Sequence, residues 1–163
     1  MAKIESKVTI ARPREEVFAY FLTLEENVPK TNRDVAWVVK TPDGPTGVGT
    51  TLRARGKSLG RSRETTMRFT AIVPNEKIGF EAEVGPMRPN CAFIFDQAHE
   101  GTSVTFQGDP NPVGPFKLLS PLFARIGHQV WAERLARAKT ALEAPASQPQ
   151  RSGTPGANRG RSV

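Results

Sequence analysis

Cysteine is almost absent. Cys91 stands alone in 163 residues, so no intrachain disulfide can form, and an unpaired thiol suits a reducing compartment. Histidine is nearly as scarce: His99 and His128 lie far apart, and no His/Cys cluster has zinc-ligand spacing. No metal and no cofactor is expected. No apolar run approaches the roughly 20 residues of a membrane span, and the first ten residues lack the apolar stretch of a signal peptide. These absences predict a cytoplasmic protein without an integral membrane segment. A glycine-rich phosphate loop, a nucleophile elbow and a paired-carboxylate motif are missing too, leaving no local signature of catalysis.

Acids are missing from one region only. From Ala144 to Val163 the chain carries Arg151, Arg159 and Arg161, no Asp or Glu, and almost nothing apolar. Such a segment cannot bury enough surface to offset its ordering entropy, so residues 144–163 read as a disordered basic tail. Removing its three charges from the net +7 leaves +4 for residues 1–143, an excess that solubility explains without a nucleic-acid partner. Residues 1–143 contain no internal linker and read as one domain, long enough to bury a stable core unaided.

Within that domain the pattern runs strand, helices, many strands, long helix. Ile4, Val8 and Ile10 share one parity in a strand from Lys3 to Ala11. Pro13 opens a helix over Arg14 to Leu22, with acids in its first turn and Val17, Phe18, Phe21 and Leu22 on one face. Leu24 to Asn32 adds a short second helix. From Asp34 to Asp109 the period becomes two, with turns at Pro42–Pro45, Ser58–Gly60, Pro74–Asn75, Pro86–Pro89 and Glu100–Gly101. Six strands follow, hence with the first a seven-stranded antiparallel sheet in an α+β fold. Phe69, Phe80, Phe93, Phe95 and Phe106, with Met67, fall on one face and form either a filled core or a pocket lining. Strict alternation puts Arg61 and Arg63 on that same face, so either a bulge switches the register or Arg63 reaches the rim of the core, and the rim is the expectation.

The last helix runs from about Pro121 to Glu143, with Ser120 as N-cap. It carries two apolar stripes: Leu119, Leu122, Phe123, Ile126 and Val130, and Ala124, Gly127, Trp131, Leu135, Ala138 and Leu142. A helix apolar on two sides is expected either to be buried on both or to pack on the sheet while its first half caps a cavity. The small residues Ala124 and Gly127 either leave volume for a ligand or mark close helix packing.

Several segments resemble one family. Val8-Thr-Ile-Ala-Arg-Pro-Arg-Glu-Glu-Val-Phe-Ala-Tyr-Phe21 is similar to the opening of the polyketide cyclase/dehydrase branch of the SRPBCC superfamily, which has the START-like helix-grip fold. Gly47-Val-Gly-Thr50, Val73-Pro-Asn-Glu-Lys-Ile-Gly-Phe80 and Leu135-Ala-Arg-Ala-Lys-Thr-Ala-Leu-Glu143 continue the match in order across residues 3–143. The resemblance implies a sheet gripping the long helix around an apolar cavity, which in relatives holds lipids, polyketides, steroids or quinones. It implies no single reaction.

On that basis the partner expected is a hydrophobic small molecule, bound or transported by a monomer or weak homodimer. Its site would be lined by the five phenylalanines and Met67, with Ile126, Gly127 and Val130 from the helix. The alternative is a polyketide cyclase/aromatase or dehydratase, for which Tyr20, Arg63 and His128 are the candidate catalytic side chains. A third class, binding of an acidic partner along Arg53, Arg55, Lys57, Arg61 and Arg63, lacks the interleaved aromatics that specific nucleic-acid binding uses.

Overall fold

Alternating burial along Ile4–Ile10 makes strand β1, whose Ile4, Ser6 and Ile10 turn inward. The computed structural model describes residues 3–31, 33–58 and 61–144. Pro13 presets an extended cap, and the chain then winds into α1 (Arg14–Leu22), with Val17, Phe18 and Phe21 buried. Helix α2 (Leu24–Thr31) follows after one residue and contains Pro29. Asn27 ties the two together by donating to the Tyr20 carbonyl at 2.9 Å and to Thr23 Oγ1 at 3.0 Å.

Six strands then form a meander: β2 (Val35–Thr41), β3 (Thr51–Ser58), β4 (Arg61–Val73), β5 (Lys77–Val84), β6 (Asn90–Ala98) and β7 (Gly101–Asp109). All pairings are antiparallel, and β1 returns to pair with β7, giving the sheet order β1-β7-β6-β5-β4-β3-β2. The seven-stranded antiparallel sheet, the two short helices and the long final helix thus match the α+β helix-grip expectation. Of the turn at Ser58–Gly60, residues 59 and 60 lie outside the described residues, as do Asn32 of the second helix and the tail from residue 145 onward.

Gly101 closes the β6–β7 turn at φ +150°, where any Cβ would collide with the Ile10 carbonyl oxygen of β1. Only glycine lets β1 lie this close to the end of β7.

The final helix differs from expectation in two ways. A 3-10 segment over Gly114–Leu119 runs straight into α3 (Ser120–Glu143), so Ser120 is already helical and caps nothing. Of its two stripes only one is buried. Leu135 and Ala138 are in the core and Trp131 packs on it, whereas Leu122, Ile126 and Val130 are 50, 37 and 37% exposed. The reason is architectural: α3 lies in a single layer over the sheet, and no described element covers its outer side. The small residues Ala124 and Gly127 reflect close packing, since a Cβ at Gly127 would strike the Ile4 Cδ1 methyl of β1.

The core sits between the concave sheet face and the helices. Phe69, Phe93, Phe95 and Phe106 are at most 1% exposed. Their rings interlock with α1 through Phe21–Phe93 at 4.7 Å and Phe18–Phe95 at 5.4 Å, and with α3 through Trp131 stacked on Phe106 at 3.8 Å.

Candidate functional site

A cavity of about 250 Å³ lies between the sheet and the second half of α3. An enclosed apolar cavity of about 150 Å³ already accepts benzene, so this one has room for more than a single ring or its equivalent length of chain. Helices and strands both build the wall. Tyr20 and Phe21 come from α1, Leu24 and Val28 from α2, Val35 and Val38 from β2, and Leu52 and Ala54 from β3. Met67 of β4, Phe80 of β5 and Phe93 of β6 form the floor, and Trp131, Leu135 and Ala138 of α3 form the roof.

These positions follow from local periodicity. Arg63, Thr65, Met67 and Phe69 alternate inward along β4 with no break until a register shift between Phe69 and Ala71. Arg63 therefore stays on the inner face, half-buried, and its Nη1 rests against Gly85, where a Cβ would approach it to 3.0 Å. On α3, Trp131, Arg134, Leu135 and Ala138 recur at steps of three and four and so share one face. Arg134 lies over the Trp131 ring at 4.8 Å, a cation–π arrangement. Its surface is accessible from the cavity, yet the protein around it depresses its pKa by desolvation first and by repulsion from Arg137 second.

Of the residues singled out from sequence, Met67, Phe80 and Phe93 lie on the cavity wall together with Tyr20 and Arg63. Phe69, Phe95 and Phe106 are one layer deeper, filled in by their neighbours, with Phe106 under Trp131. Ile126 and Val130 face outward, and Gly127 packs on Ile4. His128 is exposed beside β1, its Nδ1 3.5 Å from Ser6 Oγ, away from the cavity. The basic stripe of the β3–β4 hairpin is divided: Arg53 pairs with Glu64 on the outer face, while Arg63 lines the cavity.

Sequence reasoning missed the α2 and β2 contribution, because Leu24, Val28, Val35 and Val38 belong to elements that only tertiary packing brings over β3. It also missed Arg134 and Arg137. The signal was present in their spacing, since both flank the Trp131–Leu135–Ala138 stripe.

Cys91 is not a candidate nucleophile. Burial pushes its thiol up to about 12, against a modest opposing pull from Arg134, and a neutral thiol is a poor nucleophile. Among the described residues no three His, Cys, Asp or Glu side chains converge as metal ligands would, and no helix is long and apolar enough to cross a membrane.

Residues 1–143 match the family described as polyketide cyclase / dehydrase and lipid transport. No curated protein matches the chain in sequence. Among solved structures, TTHA0849 from Thermus thermophilus superposes with a TM-score of 0.71 at 17% identity, covering 86% of this chain and 96% of that one. A START superfamily protein from Mycobacterium smegmatis gives 0.70 at 16%, covering 86% and 97%. The di-domain ARO/CYC BexL from the BE-7585A biosynthetic pathway gives 0.69 at 19%, covering 85% of this chain and 45% of BexL. At these identities the likeness is one of fold.

Proposed function

The chain belongs to the polyketide cyclase/dehydrase and lipid-transport family, and from that premise we propose that it binds and carries a hydrophobic small molecule in the cavity between sheet and α3. The observation that carries this reading is the wall itself: Leu24, Val38, Leu52, Met67, Phe80, Phe93 and Trp131 surround open volume where a well-packed domain would place side chains. Each CH₂ moved from water onto that wall contributes about 0.8 kcal/mol, so roughly ten of them supply about 8 kcal/mol, the free energy of micromolar binding, before the cost of association is counted.

A neutral polarity-sensitive dye such as Nile red tests it. The wild-type protein is expected to take up one equivalent saturably, and Met67→Glu, which plants a carboxylate in the wall, to lose that uptake with its circular dichroism unchanged. Ile126→Glu, on the outer side of α3, is expected to bind as the wild type does. Equal uptake by the wild type and Met67→Glu overturns the reading.

A second reading is favoured by one observation: Tyr20 and Arg63 stand on the same wall as the apolar floor. A phenol and a guanidinium facing a bound polyketide-like chain are the groups a cyclase/aromatase or dehydratase would use to polarise a carbonyl. The two readings part on mass: a carrier returns its ligand unchanged after incubation, whereas a dehydratase returns it lighter by one water.

A further inference from the structure

The apolar wall has a charged border of one sign. Lys57, Arg63, Arg134 and Arg137 line the cavity, and no Asp or Glu is among the described residues that line it. Six cations elsewhere have acidic partners: Arg53 with Glu64, Arg68 with Glu81 and Arg88 with Glu83 on the sheet, Lys40 with Glu25 between β2 and α2, and Arg12 with Glu16 and Lys139 with Glu143 at the helices. Among the described residues none of these pairs includes Arg63, Arg134 or Arg137. A surface excess of positive charge scatters, but these three converge from two elements, β4 and α3, on one opening.

One of them has a partner that orients it: Arg134 lies on Trp131, which is itself stacked on Phe106, while Arg63 Nη1 passes close to Gly85. Fixing a guanidinium in advance removes most of the ordering entropy that binding would otherwise cost. Arg134 and Arg137, both exposed on α3, repel one another, and a negative charge placed between them relieves that repulsion.

We propose that the ligand is an amphipathic anion, its apolar body lying on Met67, Phe80 and Phe93 and its carboxylate or phosphate head held at the cavity mouth by Arg63, Arg134 and Arg137. This rests on the reading of the cavity as a ligand pocket and narrows it. Neutral sterols and quinones leave three converging cations without a counter-charge, whereas an anionic head takes charge-assisted, bidentate hydrogen bonds from them. The cavity volume of about 250 Å³ is below the roughly 300–1,000 Å³ of pockets that enclose a drug-sized molecule, which leaves the head of a longer ligand at the opening, where the arginines are.

Matched amphiphiles test this: decanoate, decyl phosphate and decan-1-ol, each titrated by calorimetry below its aggregation limit. The two anions are expected to bind at least tenfold more tightly than the alcohol. That advantage is expected to shrink toward unity in Arg134→Gln and in Arg63→Gln, and with rising salt. Whichever anion binds more tightly assigns the head as carboxylate or phosphate, and either supports the proposal. Equal affinity for anion and alcohol overturns the charge assignment while leaving the pocket standing, as does an anion advantage that survives both substitutions. Binding of none of the three overturns the pocket reading and the proposal with it.

Discussion

Trp131 links the core to the site. One face of its indole stacks on Phe106 at 3.8 Å with the planes 15° apart, and Arg134 lies over the ring at 4.8 Å from the centroid. Removing the buried partner withdraws support from the whole stack. Phe106→Ala is expected to cost about 3–5 kcal/mol in urea denaturation, as large-to-small changes at aromatic core positions do. It should also loosen Arg134 and weaken anion binding without touching the ligand. Cys91 illustrates the opposite case, a polarisable group that burial silences. Its neutral form is favoured in the folded state, so between pH 9 and about 12 the unfolded chain ionises first and stability falls as pH rises through that window. At pH 8 the native thiol is expected to resist iodoacetamide that labels the denatured chain within minutes; rapid native labelling would contradict its burial.

At the scale of the element, the carboxyl end of α3 is fastened to the end of β1 by charged groups. Arg12 donates from Nε to the Leu142 carbonyl at 2.7 Å and from Nη2 to that of Ala144 at 3.3 Å, capping carbonyls that the helix leaves unpaired. Lys139 donates to the Thr9 carbonyl at 2.7 Å, and Glu143 accepts from the Ala11 N–H at 2.8 Å and from Lys139 at 2.7 Å. Arg12→Ala is expected to lower stability by about 1 kcal/mol and to fray the last turn. The hydrogen bonds from Lys139 and Ala11 hold the Glu143 carboxyl below its ordinary range. A depressed carboxyl contributes stability above its unfolded pKa and loses it as pH falls through the folded one. Amide exchange at Ala11 should therefore accelerate on acidification beyond the intrinsic pH dependence, and Glu143→Gln should remove that extra acceleration.

At the scale of the molecule, the pocket and its charged mouth arise because α3 lies tightly along β1 at one side of the sheet, from Gly127 on Ile4 to Lys139 on Thr9, while the strands β2 to β6 leave open volume beneath its inner face. Ile4 presses on Gly127 where contact is closest. The open volume lies beyond it, over Trp131, Leu135 and Ala138. Gly127→Leu, whose longer side chain cannot be met by a rotation of Ile4 alone, is expected to destabilise the fold while leaving the wall residues in place; an unchanged or raised melting temperature would contradict that packing.

Alternation and turn residues sufficed to order the elements and to identify the apolar face of each strand, because a period of two with one buried side leaves a single register. They also placed Arg63 inside, where local propensity argues against a charge. What the chain could not disclose is which of two apolar stripes on α3 meets the sheet, since both have helical spacing and burial depends on how many layers the fold supplies. For the same reason sequence grouped Met67, Phe80 and Phe93 with Phe69, Phe95 and Phe106 as one lining, although only the first three face open volume. Parity assigns a side chain to a face, and the curvature of the sheet decides whether that face is filled. The convergence of Arg63 with Arg134 and Arg137, some seventy residues apart in the chain, belongs to tertiary structure alone, because charge is additive along a sequence and becomes a site only where the backbone brings it to one opening.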